Sequence, residues 1–182
     1  MPLEDSYPIY DWFIIRFTEN PGMAFGIELF KKSYLTLFRI IIVVIGIFYV
    51  KSIIKPSFPI GGLIALGLLI GGAVGNIIDS TFYGLIFSES YAYGSPAHIF
   101  PETGGYAPLL WGNVVDMFSF PFFTVDLPDW LAISIPFSSK TILSVLEGSD
   151  GLFTFFAPIF NVADAGISVG ILMILIFYRN NF

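Results

Sequence analysis

The stretch Phe58–Ile78, FPIGGLIALGLLIGGAVGNII, runs without a single charged side chain. Coiled as a helix rising about 1.5 Å per residue, it is long enough to cross the ~30 Å hydrocarbon core of a bilayer. A helix that is apolar on every side has to be buried on every side, and lipid is the simplest way to do that. Two other stretches share the property. Ser33–Val50, SYLTLFRIIIVVIGIFYV, carries only Arg39, whose long stem can snorkel to the surface or turn toward a polar interior. Ile159–Tyr178 is uncharged beyond Asp164, but Ala165–Tyr178 alone falls short of the core thickness, so its helix is expected to begin near Asn161 or Val162. That places Asp164 in the first turn. Composition agrees, with 12% charged residues against roughly 25% in soluble domains. The expected fold class is a membrane α-helical bundle. It forms a single integral membrane domain over residues 1–182, with spans at about 33–50, 58–79 and 161–178.

Gly67, Gly71 and Gly75 recur every four residues and stack on one helical face, where another helix can approach closely. Asp79 continues that row, and Gly72, Asn76 and Ser80 form the adjoining one. Gly166 and Gly170 give the third span a similar face. Outside the spans, Asp11–Thr18 reads as a short strand from its aromatic and β-branched residues, and Asn20-Pro21-Gly22 as a turn. Ser80–Pro158 is rich in Pro, Gly and aromatic residues and reads as irregular structure, short strands and membrane-surface aromatics such as Trp111 and Trp130. Within it, Val114–Phe120 is an expected strand with Asp116, Phe118 and Phe120 on one face. The link carrying Lys51 and Lys55, and the tail carrying Arg179, are the expected cytoplasmic parts, which leaves 1–32 and 80–160 extracytoplasmic. An odd number of spans with the C-terminus inside, and no signal peptide in MPLEDSYP, leads to the expectation of a further helix upstream.

The absence of cysteine excludes disulfides, thiolate metal sites and a thiol nucleophile. His98 is the only histidine, which argues against a histidine zinc site or a Ser-His-Asp triad, and it reads as a plain loop residue. A net charge of −6 does not suggest nucleic acid. Hydrolytic chemistry in such a chain must lean on carboxylates. The candidates are Asp79, Asp116 and Asp164, with Asn20, Asn76, Asn113 and Asn161 around them. Two close carboxylates cannot both ionise easily, so a pair shares a proton; its ionised member can activate water while its neutral member polarises a carbonyl. Each residue also has a plainer role: Asn161 as a helix N-cap with Asp164 at N3, Asp116 as a strand residue, Asp79 as a helix-end group. A proton- or ion-conducting subunit is a further alternative, but it calls for acids spread along the depth of a span, and here they cluster at one end.

The segments ENPGMAFG (Glu19–Gly26), GGAVGNIID (Gly71–Asp79), VVDMF (Val114–Phe118) and FNVADAGISVG (Phe160–Gly170) occur in the order found in bacterial lipoprotein signal peptidase, signal peptidase II. The chain resembles that family. The resemblance implies an aspartic endopeptidase of the bacterial inner membrane, with four helices forming a membrane α-helical bundle and a small extracytoplasmic β-containing platform. Such enzymes remove signal peptides from prolipoproteins before a diacylglyceryl-modified cysteine, so the implied partners are that substrate and membrane lipid. It implies no metal or organic cofactor and a monomer. By motif, Asp116 and Asp164 correspond to the catalytic pair, and Asn20, Gly22, Asn76, Asp79 and Asn161 to positioning or substrate-binding residues. Two features depart from the pattern. No upstream D-Q-x-x-K-type helix is present, and Ser80 stands where an arginine is usual, so an inactive or truncated lipoprotein-binding relative is the alternative within the family. The long segments between Asp79 and Asp116 and over Phe120–Pro158 resemble the Bacteroidetes-type branch.

Overall fold

The computed structural model describes residues 2–21, 32–92, 94–134, 142 and 151–181. The chain divides into two compact units, one of Met1–Asp5, Phe17–Asp116 and Phe160–Phe182, the other of Ser6–Arg16 and Met117–Ile159.

The first unit contains three long helices, α1 (Lys32–Ile53), α2 (Ile60–Ile86) and α3 (Val162–Met173), the last continuing through a π turn at Ile174–Tyr178 and a 3-10 turn at Arg179–Asn181. All three are long and apolar enough to span a membrane. The run Ile40–Ile45 in α1 is wholly β-branched and would be a mediocre helix in water. In lipid the backbone has no other donor or acceptor, so the helix is enforced. Helix α2 starts after Pro59, whose carbonyl accepts from the Leu63 N–H at 3.1 Å. It then runs past Asp79 to Ile86, because Ser80–Ile86 offers no proline or charge to stop it. Asp79 therefore lies inside a helix. Phe87 then turns extended, its N–H held by the Tyr83 carbonyl at 3.0 Å.

The seam between α2 and α3 differs from the expected glycine row. A Cβ on Gly72 would sit 2.3 Å from the Ala163 carbonyl oxygen, and one on Gly170 would sit 2.6 Å from that of Ala65. Gly75 meets the Ala163 methyl at 3.2 Å, at the edge of the same seam. Gly67 and Gly71, by contrast, have no described atom within 4 Å. The helix is rotated so that the row through Gly72 and Asn76 faces α3. An amide left in hydrocarbon without partners costs several kcal/mol by order of magnitude, so Asn76 sets the rotation and the glycines beside it permit the contact.

The outer faces carry Phe38, Ile42, Ile45 and Phe48 on α1, Ile60 and Ile64 on α2, and Leu172, Ile176 and Phe177 on α3, all exposed. Among the described residues few apolar side chains are buried, including Ala65, Leu66 and Val114. This inverted distribution fits lipid, which covers such faces as well as a protein core would.

The segment after α2 returns along the end of that helix. Tyr106, Ala107, Leu110 and Gly112 donate their backbone N–H groups to the carbonyls of Phe87, Gly84, Thr81 and Ser80, at 2.9–3.1 Å. Gly112 makes the approach possible, since a Cβ there would meet the Asp79 carbonyl oxygen at 2.6 Å. The docking delivers the chain into β3 (Val114–Ser119), within the span of the expected strand.

In the second unit, β1 (Ser6–Tyr10) pairs antiparallel with β2 (Phe13–Asn20), Ser6 opposite Arg16 and Tyr7 opposite Ile15. β2 lies between β1 and β3 in the sheet, and the boundary between units falls within both β2 and β3. Asp11 and Trp12, expected in a strand, form the hairpin turn instead. A second pair joins β4 (Phe123–Val125) to β5 (Phe153–Phe155), with Phe123 stacked on Phe155 at 5.0 Å. Phe13 and Phe120 stack at 4.9 Å, and Trp12 stacks on Tyr10 at 5.5 Å.

Candidate active site

Four elements of the first unit bring their side chains to one point. Asp116, on β3, is 3% exposed. Its Oδ2 accepts from the Asn20 amide at the end of β2, at 3.0 Å, and its Oδ1 accepts from the Asn161 amide at 2.8 Å. Asn161 is the N-cap of α3, and its Oδ1 accepts from the Asp164 N–H at 2.9 Å. The Asp164 carboxylate in turn accepts from the Asn161 N–H at 3.4 Å, which completes a capping box. Asn76 on α2 closes the ring: its amide donates to Asp164 Oδ1 at 2.7 Å, and its oxygen accepts from the Asn161 amide at 3.1 Å. The two carboxylates, more than forty residues apart in sequence, are thus joined through the side chain of Asn161. The capping role read from the Asn161–Asp164 spacing and the clustering of acids are both present, and one residue serves both.

The electrostatics are those of a crowded acid site. Burial pushes the Asp116 carboxyl above the ordinary carboxylate range, and the charges of Asp164 and Asp79 push the same way. The Asn20 and Asn161 amides oppose the rise by donating to the ionised form. Arg39, half-buried on α1, lies within electrostatic reach of Asp164, so of the two directions open to it the side chain takes the polar interior.

Asp79 has different partners. It is held by the Tyr83 hydroxyl and the Val115 backbone, and ties β3 to α2 one residue before Asp116. Gly22 lies outside the described residues. His98 exchanges hydrogen bonds with Ser88, its N–H to the Ser88 Oγ and its carbonyl from the Ser88 N–H, both at 2.9 Å.

A second polar cluster borders the first: it joins Asn113, one of the asparagines expected around the acids, and Glu19, which opens the ENPGMAFG segment, to Lys32, which no motif marks. Lys32 of α1 donates to Asn113 Oδ1, and the Asn113 amide donates to Glu19 Oε2. The Asn113 N–H donates to the Tyr106 hydroxyl at 2.6 Å. The Thr36 hydroxyl, also on α1, bonds the Leu110 carbonyl at 3.1 Å. Lys32 and Glu19 lie far from Asn113 in sequence, and no spacing rule links them. A cavity of about 250 Å³, bordered by Glu19, Tyr83, Tyr106 and Val115, lies beside this cluster.

The sequence profile of signal peptidase (SPase) II matches residues 1–179. The chain belongs to the signal peptidase II family. It is 44% identical over 179 residues to a lipoprotein signal peptidase of Porphyromonas gingivalis, covering 98% of this chain and 72% of that protein. A lipoprotein signal peptidase of Amoebophilus asiaticus is 34% identical over 170 residues, covering 91% of this chain and 61% of its own. Two solved structures share the fold, both described as a bacterial membrane enzyme obtained by the in meso method. One, at 2.3 Å resolution, superposes with a TM-score of 0.56 and 22% identity, covering all of this chain and 74% of the other. The second, at 1.9 Å, gives 0.54 and 22%, covering 97% and 76%. As a member of the signal peptidase II family this is an aspartic-type enzyme with several membrane-spanning helices.

Proposed function

We propose that this signal peptidase II removes signal peptides from diacylglyceryl-modified prolipoproteins, with Asp116 and Asp164 as the catalytic pair sharing one proton. The observation that carries the assignment is the side chain of Asn161, which donates to Asp116 and accepts from the Asp164 N–H. The ionised carboxylate takes a proton from water, whose oxygen attacks the scissile carbonyl carbon, while the protonated partner donates to the carbonyl oxygen. Collapse of the resulting diol breaks the C–N bond: the proton gained by the first carboxylate passes to the leaving amine, and the second carboxylate takes back a proton from a diol hydroxyl, which leaves the new carboxyl group and restores the pair. Asn20, Asn76 and Asn161 position the pair. Gly22 belongs to the positioning or substrate-binding set by its motif, and Asp79 fixes β3 against α2.

The site belongs to the extracytoplasmic side of the inner membrane, with residues 1–32 and 80–160 outside and the Lys51–Lys55 link inside. The substrate reaches it laterally from the bilayer, held by its lipid chains, and the enzyme acts as a monomer. Cleavage of a diacylglyceryl-modified prolipoprotein, and not of its unmodified form, in cells lacking their own lipoprotein signal peptidase tests the reading. No processing of the modified form, at normal levels of membrane-inserted enzyme, would overturn it in favour of a lipoprotein-binding relative.

A further inference from the structure

We infer that Asn113, with Lys32 and Glu19, is a positioning residue that holds the Asn20 amide on Asp116. Glu19 immediately precedes Asn20 at the end of β2, and Asn113 immediately precedes β3, which carries Asp116. Asn113 spans the two strands from one side, its amide on Glu19 Oε2 and its oxygen taking the Lys32 ammonium. Its backbone N–H is fixed separately by the Tyr106 hydroxyl at 2.6 Å. Neighbouring residues in a strand point to opposite faces, so Glu19 and Asn20 face opposite ways. A tie on Glu19 therefore sets the depth of Asn20 without occupying the site. Asn20 is the last residue of β2, and the tie on Glu19 fixes the strand at that end.

The consequence is legible in the titration of Asp116. The groups acting on that carboxyl are Asp164 from α3, Asp79 from α2 and the amides of Asn20 and Asn161; Arg39 of α1 acts on Asp164. Asn113 and Glu19 bear on the Asp116 carboxyl through the Asn20 bond, so loosening Asn113 acts as loss of that bond does.

The inference rests on the reading of Asp116 as half of the catalytic pair. Its test is the pH profile of kcat/KM for cleavage of a lipidated prolipoprotein by Asn20→Ala, Asn113→Ala, the double variant, Glu19→Leu and Glu19→Gln. Asn20→Ala should move the Asp116-dependent limb toward higher pH, since a donor to the ionised form is lost. Asn113→Ala and Glu19→Leu should move it the same way, Asn113→Ala should add nothing in the Asn20→Ala background, and Glu19→Gln, which keeps an acceptor oxygen for Asn113, should leave the limb in place. A change that only lowers the amount of folded enzyme scales the profile without moving the limb. An unmoved limb in Asn113→Ala beside a moved one in Asn20→Ala, or additive shifts in the double variant, would overturn the inference. An unmoved limb in Asn20→Ala itself would instead count against Asp116 as a catalytic group.

Discussion

Asn161→Ala separates the two roles that meet in this residue. The substitution removes the cap on α3, typically about 1 kcal/mol. It also removes a hydrogen bond to the Asp116 carboxylate, of order 1.5–3 kcal/mol, and a neutral one to Asn76, about 1 kcal/mol. Non-additivity within one network brings the expected loss to about 3–4 kcal/mol, or of order 10 °C in Tm for a chain of this size. With Asp116 no longer tied to Asp164, cleavage should fall by about 10²-fold in kcat, the usual cost of misplacing reacting groups by around an ångström. Asn161→Ser distinguishes the contributions. Its hydroxyl still accepts from the Asp164 N–H, so about 1 kcal/mol of stability should return, but it offers no amide to span Asp116 and Asn76. Thermal unfolding in detergent, set beside gel-based cleavage of a lipidated prolipoprotein, reads both quantities. If Asn161→Ser recovered cleavage together with stability, the residue would be a helix cap alone and the bridging argument would fail.

Other expectations follow from the same geometry. Gly72→Val drives a side chain into the Ala163 backbone and should cost at least about 1–3 kcal/mol with loss of activity, whereas Gly67→Val should change Tm little; equal effects would contradict the rotation assigned to α2. Because Asp116 is held above its ordinary value of 3.8, its contribution to stability is complete below that value and is lost as pH rises through the folded one. The parent should therefore lose more Tm as pH rises above about 3.8 than Asp116→Asn does, and parallel profiles would refute the burial argument. The chain has no cysteine, so Ser57→Cys and Ser95→Cys are single reporters: an impermeant thiol reagent added to intact spheroplasts should label Ser95→Cys and not Ser57→Cys, and the reverse pattern would invert the proposed topology.

What the sequence makes legible here follows from what lipid demands. Three long, strongly apolar runs can be little else than helices, and α1, α2 and α3 stand where those runs do. The rotation of α2 was not legible. Spacing marks Gly67-Gly71-Gly75 and Gly72-Asn76 equally well as faces, and the choice falls to Asn76, whose amide must find Asp164. The Asn161–Asp164 capping box was readable because it is local, four residues of one helix end. Its connection to Asp116 was readable only through the family motifs, since nothing in the intervening sequence fixes where β3 returns. That return is governed by Gly112 and the backbone bonds along the end of α2, which have no periodic signature. Lys32, Glu19 and Asn113 were invisible as a group for the same reason: three polar residues on three elements, meeting only once the chain has folded.

The most direct test of the catalytic pair is cleavage of a purified, lipidated prolipoprotein by Asp116→Asn, Asp164→Asn and the double variant, each checked for folding by thermal unfolding. Two groups sharing one proton act as a unit, so each single variant should lose at least about 10³-fold and the double variant no more than the worse single. Cleavage at the parental rate by either single variant would contradict the assignment.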